Sequence, residues 1–278
     1  MITAKQRAVL EILELNGPMS ELRLARLLFL IKQSIPEKNR SCLFDFVPYI
    51  IGPYSFELAN NLFSLQRKGL IKIDWNKIRI VKKHAPNYES KTSYIKEIIE
   101  LYEQTSDGDL LQIIISKNPE SSIFNKIAKK KDPSGIRNGI ITIGYEGRTI
   151  DAFMKYLLDE KVQYLMDIRN NPWSMKYGYT KNTLQHICDL LEIKYRNIKT
   201  LGIPSCRRKQ VRTKSDRDAL FREFRESLRE QTKELNGFIE LGKEHRIALM
   251  CFERDPLLCH RSIVAEALTD LGAQVDLR

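Results

Sequence analysis

The densest set of reactive side chains is CFERDPLLCHR, residues 251 to 261, where two cysteines, two acids, a histidine and two arginines follow the apolar run Ile247-Ala248-Leu249-Met250. Three chemistries fit such a set. Cysteine and histidine ligate borderline metals, a thiol beside a cation is a nucleophile, and a helix start carrying arginine receives anions. Cys251, Cys259 and His260 form no CxxC or HxxxH pair. On a helix, adjacent Cys259 and His260 would point about 100° apart, so neither a metal nor another cofactor is expected. Asp255-Pro256 reads as an N-cap followed by a first-turn proline, which would place Cys259, His260 and Arg261 in the first turn of a helix. Cys259 would then have thiolate character beside Arg261, while His260 and Arg261 would face an anion. The opposing reading packs both cysteines inward as small hydrophobes.

Two further stretches offer polar groups after apolar runs: Gly144-Tyr145-Glu146-Gly147-Arg148, and Asp167-Ile168-Arg169-Asn170-Asn171-Pro172-Trp173-Ser174. Asp167, Glu253 and Glu146 are the candidate catalytic carboxylates, because paired acids can stabilise an oxocarbenium-like transition state and move the proton of a water. Arg169, Ser174, His260 and Arg261 are candidates for holding phosphate, and Tyr145 or Trp173 for stacking on a base. The plainer alternatives are an Asp167–Arg169 ion pair and a capping role for Glu253. His186 and Cys188 fall within a helical pattern and read as packing or surface residues.

The elements around these stretches alternate. GIITIG, VQYLMD, KYRNI, RIALMC and QVDL have the character of strands, separated by helical patterns capped at Thr149 and Thr180 and by one long polar helix from about residue 215. The fold class is therefore α/β: a Rossmann-like, mostly parallel sheet with helices on both faces over 139–278. Parallel strands gather chemistry at their carboxyl ends, which would unite the three polar stretches.

The first 85 residues differ. Apolar positions recur at helical spacing in two segments split by Asn16-Gly17-Pro18, and Ser55 can cap a third helix that Gly69 ends. LIKIDWNKIRIVKK then alternates like two short strands. Three helices and a two-stranded wing make the winged helix-turn-helix plan. Its wing supplies Lys72, Lys77 and Arg79, along with Lys82 and Lys83, as partners for backbone phosphates. Residues 86–138 read as a helical connector and a basic linker, with one or two helices over 89–116 and a Pro- and Gly-punctuated stretch over 117–138.

Charge points the same way in both halves. Residues 1–138 hold 22 basic and 15 acidic side chains, and residues 139–278 hold 24 and 20, so a polyanion such as DNA is the expected partner. KTLGIPSCRRKQVRTKSDR concentrates this charge, and Arg207, Arg208, Lys209 and Arg212 are its candidate nucleic-acid contacts, a solvated loop being the alternative. The amino terminus lacks the apolar core of a secretory signal, and no apolar run is long enough to span a bilayer; a cytoplasmic protein without membrane contact is expected. Five cysteines without framework spacing read as free thiols. Oligomeric state is not legible.

Two resemblances add to this. IIGPYSFELANNLFSLQRKGLI resembles winged-helix modules fused to bacterial regulatory and conflict-related proteins, which implies DNA docking in a setting such as host defence. TIGYEG, DIRNNPWS, YRNIKTLGIP and LMCFERDPLLCHRSIVAEAL together resemble the bacterial and archaeal family called domain of unknown function four hundred eighty-eight. That resemblance implies a Rossmann-like domain and no particular reaction. The chemistry of the acids suggests a DNA glycosylase-type hydrolase acting on a base, modified bases included, which must be flipped from the duplex. A DNA-binding transcriptional regulator whose α/β domain senses a nucleotide or anion is the alternative. A thiol-dependent enzyme using Cys259 is a third.

Overall fold

The computed structural model describes residues 1–75, 77–82, 92–119 and 138–278, and the chain divides into two compact units, Met1–Lys129 and Lys130–Arg278. In the first, α1 (Ala4–Asn16) and α2 (Glu21–Ser34) begin at Thr3 and Ser20, whose hydroxyls accept the N–H groups of Gln6 and Arg23. Such caps satisfy donors that a helix start leaves bare. Ser55 does the same for α3 (Phe56–Arg67). The segment FVPYIIGPYS contains a hairpin of β1 (Val47–Tyr49) and β2 (Gly52–Tyr54). A second hairpin, β3 (Ile71–Asp74) with β4 (Lys77–Ile80), is tied to the α1–α2 turn by a bridge between Met19 and Ile78.

The connector helices belong to this unit. α4 (Thr92–Tyr102) and α5 (Asp107–Lys117) bury Ile95, Ile99, Leu110 and Ile114 in the same core as Leu27, Leu28 and Leu62. The unit therefore extends past residue 85, since helices with apolar faces need a core to cover them. Lys83 and most of the basic linker, residues 120–137, lie outside the described residues.

The second unit is a five-stranded parallel sheet of β5 (Gly139–Gly144), β6 (Tyr164–Asp167), β7 (Lys194–Asn197), β8 (Arg246–Cys251) and β9 (Val275–Asp276), in the order β7-β6-β8-β5-β9. Its helices are α6 (Ile150–Asp159), α7 (Lys181–Leu190), the single turn α8 (Ser205–Arg208), α9 (Lys214–Ser227), α10 (Thr232–Glu244) and α11 (Arg261–Asp270). This is a Rossmann-like α/β domain. β5, β6 and β8 are almost wholly buried, which explains why they read as continuous apolar runs rather than alternating ones. The long polar helix is two helices, α9 and α10, parted by a 3-10 turn at Leu228–Gln231. Among the described residues, no helix is long and apolar enough to cross a membrane.

Strand alternation divides the site before any loop is considered. Ile247, Leu249 and Cys251 point to one face of β8, where they pack with Met166, Ile168, Phe224, Phe238 and Ile263. Asp167 stands opposite Met250 in register, and so belongs to the other face.

Candidate functional site

The carboxyl ends of β6, β8 and β5 lie side by side, so the three polar stretches do reach one edge. They do not form one cluster. The pleat sends them to opposite faces, and each face has its own set of partners.

On the first face the carboxylate of Asp167 is saturated. Its Oδ1 accepts from the Arg169 backbone N–H (3.1 Å) and Nε (2.8 Å), and its Oδ2 from Arg169 Nη2 (2.6 Å) and the Tyr195 hydroxyl (2.7 Å). Arg169 Nη1 donates in turn to the Tyr145 hydroxyl at 3.0 Å. Burial alone would lower the Arg169 guanidinium, but bonding and charge from Asp167 hold it above its ordinary value. Burial and the charge of Asp167 push the Tyr195 hydroxyl up. Asn197 Nδ2 donates to the Asp167 and Arg169 carbonyls (2.9 and 3.0 Å), and Gly202 lies so close to the 168–170 backbone that a Cβ there would come within 2.2 Å of the Asn170 nitrogen. The plainer reading of Asp167 and Arg169 as an ion pair is what the geometry shows.

Tyr145 is also enclosed. It is 3% exposed, stacked on Tyr179 at 4.1 Å and met edge-on by Phe252 at 5.2 Å. The expectation that Tyr145 stacks on a base is corrected: its ring faces are used inside the protein. Trp173, 64% exposed on the loop after β6, keeps an open ring. Ser174 turns inward to its own loop, its Oγ accepting from the Lys176 N–H at 3.1 Å.

The second face carries the opening stretch, and here the local helix expectation fails. Asp255 caps a separate 3-10 turn, Pro256–Leu258, with Oδ1 accepting from the Leu257 N–H at 2.9 Å. Cys259 follows with extended backbone (φ −125°, ψ 140°), and α11 starts only at Arg261, with His260 in the N-cap position. Cys259 and His260 are thus not successive helical residues, and the divergence expected of them disappears. The ligating atoms of Cys251, Cys259 and His260 all lie within 4.8 Å of one another, and all three residues are buried.

Arg261 does not face an anion. It is fully buried, and its guanidinium donates to the carbonyls of Glu253, Arg254 (2.8 Å) and Arg278 (3.2 Å). It holds the 253–254 backbone in place. Both supports for a Cys259 thiolate, the helix start and a free Arg261, are therefore gone, and burial, with Cys251 adding to it, pushes the thiol well above its ordinary value.

Glu253 sits with the cysteines rather than with Asp167. Its Oε2 accepts from the Cys251 thiol at 3.5 Å, and it is hydrogen-bonded by Cys259 as well. Burial would raise its carboxyl, but these bonds and the nearby His260 bring it below the usual range. The pairing of Asp167 with Glu253 across one substrate is not what the strands deliver. Glu146 is exposed, and its Oε2 accepts from the Arg254 N–H at 2.9 Å, so it too fastens the 253–254 loop.

The basic candidates remain at the surface. Arg207 pairs with Glu223, Arg208 donates to Ser205 Oγ at 3.2 Å, and Lys209 and Arg212 are exposed beside them. In the first unit Lys77 is exposed, while Lys72 and Arg79 flank Asp74 at 3.0 and 3.2 Å, which neutralises part of the charge of the β3–β4 hairpin.

Tyr195, Asn197 and Tyr179 complete the first face, and none was singled out from sequence. Tyr195 lies on the strand next to Asp167, a neighbour that follows from the strand order and not from spacing along the chain.

A Rossmann-like domain with a polar carboxyl edge is thus the class that fold and site define. Residues 149–268 of it match the family described as Domain of unknown function DUF488. The matched range takes in the Asp167 loop and the 251–261 stretch but leaves out β5 and TIGYEG. No curated protein and no solved structure matches the chain.

Proposed function

We propose that the chain is a nucleic-acid-acting enzyme that hydrolyses the base-to-sugar bond of a base in DNA, modified bases included. The observation that carries this reading is Glu253. It is a partly exposed carboxylate at the carboxyl edge, next in sequence to the exposed ring of Phe252 and one strand away from the loop bearing the open ring of Trp173. Hydrolysis of an N-glycosidic bond needs a carboxylate near a positioned water and a surface on which an extruded base stacks. Asp167 is assigned a positioning role, holding Arg169 and the 167–170 loop, and Glu253 takes the catalytic one. Arg207, Arg208, Lys209 and Arg212 supply phosphate contacts from the loop after β7. The three capped helices and the β3–β4 hairpin of the first unit suit a winged helix-turn-helix, which would dock the enzyme on duplex DNA, as a host-defence enzyme would require.

The test is incubation of the full chain with duplexes carrying ordinary and modified bases, followed by alkali to cleave abasic sites. Strand cleavage is expected, falling about 100-fold or more in Glu253→Gln and unchanged in Cys188→Ser. Absence of abasic product across the whole panel of bases overturns the reading in favour of a regulator that binds DNA without altering it.

A further inference from the structure

We infer that Cys251, Cys259 and His260 form a binding site for a single borderline metal ion of the zinc class, with Glu253 beside the remaining coordination position. The inference stands independently of the glycosidic reading, and if both hold, the ion is what activates the water.

The ligand atoms, all within 4.8 Å of one another, are near enough for small side-chain rotations to bring them onto one ion. With Zn–S near 2.3 Å and Zn–N near 2.0 to 2.1 Å, a tetrahedral ion sets its sulfur and nitrogen ligands about 3.6 Å apart. His260 Nδ1 lies 3.6 Å from Cys251 Sγ and 4.0 Å from Cys259 Sγ. These separations are long for strong hydrogen bonds and short for unrelated neighbours.

The histidine is also held in the tautomer that ligation needs. Its Nε2 lies 3.0 Å from the Ile168 carbonyl oxygen, which can only accept, so Nε2 carries the proton and Nδ1 turns its lone pair toward the two sulfurs. A ring whose far nitrogen donates to a backbone carbonyl is the usual outer support of a metal-bound histidine. Phe224 meets the same ring edge-on at 5.5 Å and closes its other side.

The site is built from fixed parts. Cys251 ends a buried strand, Cys259 lies between a 3-10 turn and a helix, and the backbone linking them is stapled by Arg261 and Glu146. Two sulfurs and one imidazole select zinc, cobalt or iron over magnesium or calcium. Three protein ligands leave one position of a tetrahedron, the arrangement in which zinc holds a water rather than a purely structural role. Glu253, whose Oε2 lies 3.5 Å from the Cys251 sulfur, is the carboxylate placed to take that water's proton.

The experiment uses the full chain, purified without chelator. Elemental analysis should return close to one zinc per chain. Replacement by cobalt should give thiolate-to-cobalt charge-transfer absorption and the visible bands of a tetrahedral ion. Cys251→Ser, Cys259→Ser and His260→Ala should each lower retained metal at least tenfold, while Cys188→Ser and Glu253→Gln keep it. Wild-type cobalt spectra decide the matter even if a ligand variant fails to fold. Protein free of metal that also gives no cobalt spectrum overturns the site, as does a native Cys251–Cys259 disulfide found by peptide mass mapping. Bound metal without abasic product would sink the glycosidic reading and leave the metal site standing.

Discussion

Asp167 with Arg169, and Cys251 with Cys259 and His260, occupy the same edge of one sheet, yet they are opposite kinds of polar cluster. Around Asp167 both carboxylate oxygens are filled, by four donors at 2.6 to 3.1 Å. Around His260 the contacts to sulfur are 3.6 and 4.0 Å. A saturated buried cluster has no capacity left for a substrate and serves to fix backbone; a loosely coupled set of soft ligands keeps the capacity to bind. Residue type alone would rank them the other way, since an aspartate and arginine at a strand end look more catalytic than cysteines.

The sharpest way to break this contrast is Asp167→Ala. Removing one partner of a buried pair leaves Arg169 charged and unmatched, and about 3 to 5 kcal/mol of stability should go. Urea unfolding followed by far-ultraviolet circular dichroism measures it. Replacing both partners, Asp167→Leu with Arg169→Met, should recover most of that loss; a double variant as unstable as the single one would mean that the pair is not acting as a unit.

An intermediate effect is expected on the other face. Cys259→Ser should cost about 1 to 3 kcal/mol in chelator-treated protein, because a hydroxyl that must be desolvated replaces a buried thiol that behaves as a small hydrophobe. In zinc-loaded protein the same change should cost considerably more, since an ion bound only by the folded state stabilises it. Equal losses with and without chelator would erase the difference between the two clusters.

The smallest effect belongs to an acid that is satisfied but exposed. Asp216 accepts from the N–H groups of Arg212 (3.0 Å) and Thr213 (2.9 Å) at the start of α9, and these bonds hold its carboxyl below the ordinary range. A carboxyl depressed in the folded state contributes stability above its unfolded value and loses it as pH falls through the folded one. Asp216→Asn should therefore flatten the acid side of the stability curve slightly, as melting temperatures between pH 3 and 6 would show. A drop comparable with Asp167→Ala would mean that burial is not what makes the inner pair count.

Much of the α/β architecture was legible because its signals are local to each element. Continuous apolar runs such as GIITIG and RIALMC, with Thr149 and Thr180 at the N-cap positions of α6 and α7, mark buried strands and helix starts without tertiary knowledge. The site was harder for a reason of geometry. A strand has a period of two, so Asp167 and Ile168 leave on opposite faces, and no spacing argument says which face carries the substrate. The local failure at 255–261 has a single source: Asp255-Pro256 caps a helix, but a 3-10 one that ends before α11 begins. From that one misplaced boundary came both the free Arg261 and the diverging Cys259 and His260. Tyr195 was invisible for the complementary reason, being joined to Asp167 across a parallel pair of strands separated by a whole helix.

Gly144 draws these threads to one atom. A Cβ at this position would lie 1.8 Å from the Glu253 carbonyl oxygen and 3.0 Å from the Arg254 Cα, and both obstacles are main chain. Backbone cannot rotate aside as a side-chain end does, so alanine, one nucleotide change away, is shut out as firmly as tryptophan. In a saturation library at residue 144 scored for intact function, the position should behave as a one-letter alphabet, and the 253–254 turn owes its place to a hydrogen atom on the neighbouring strand.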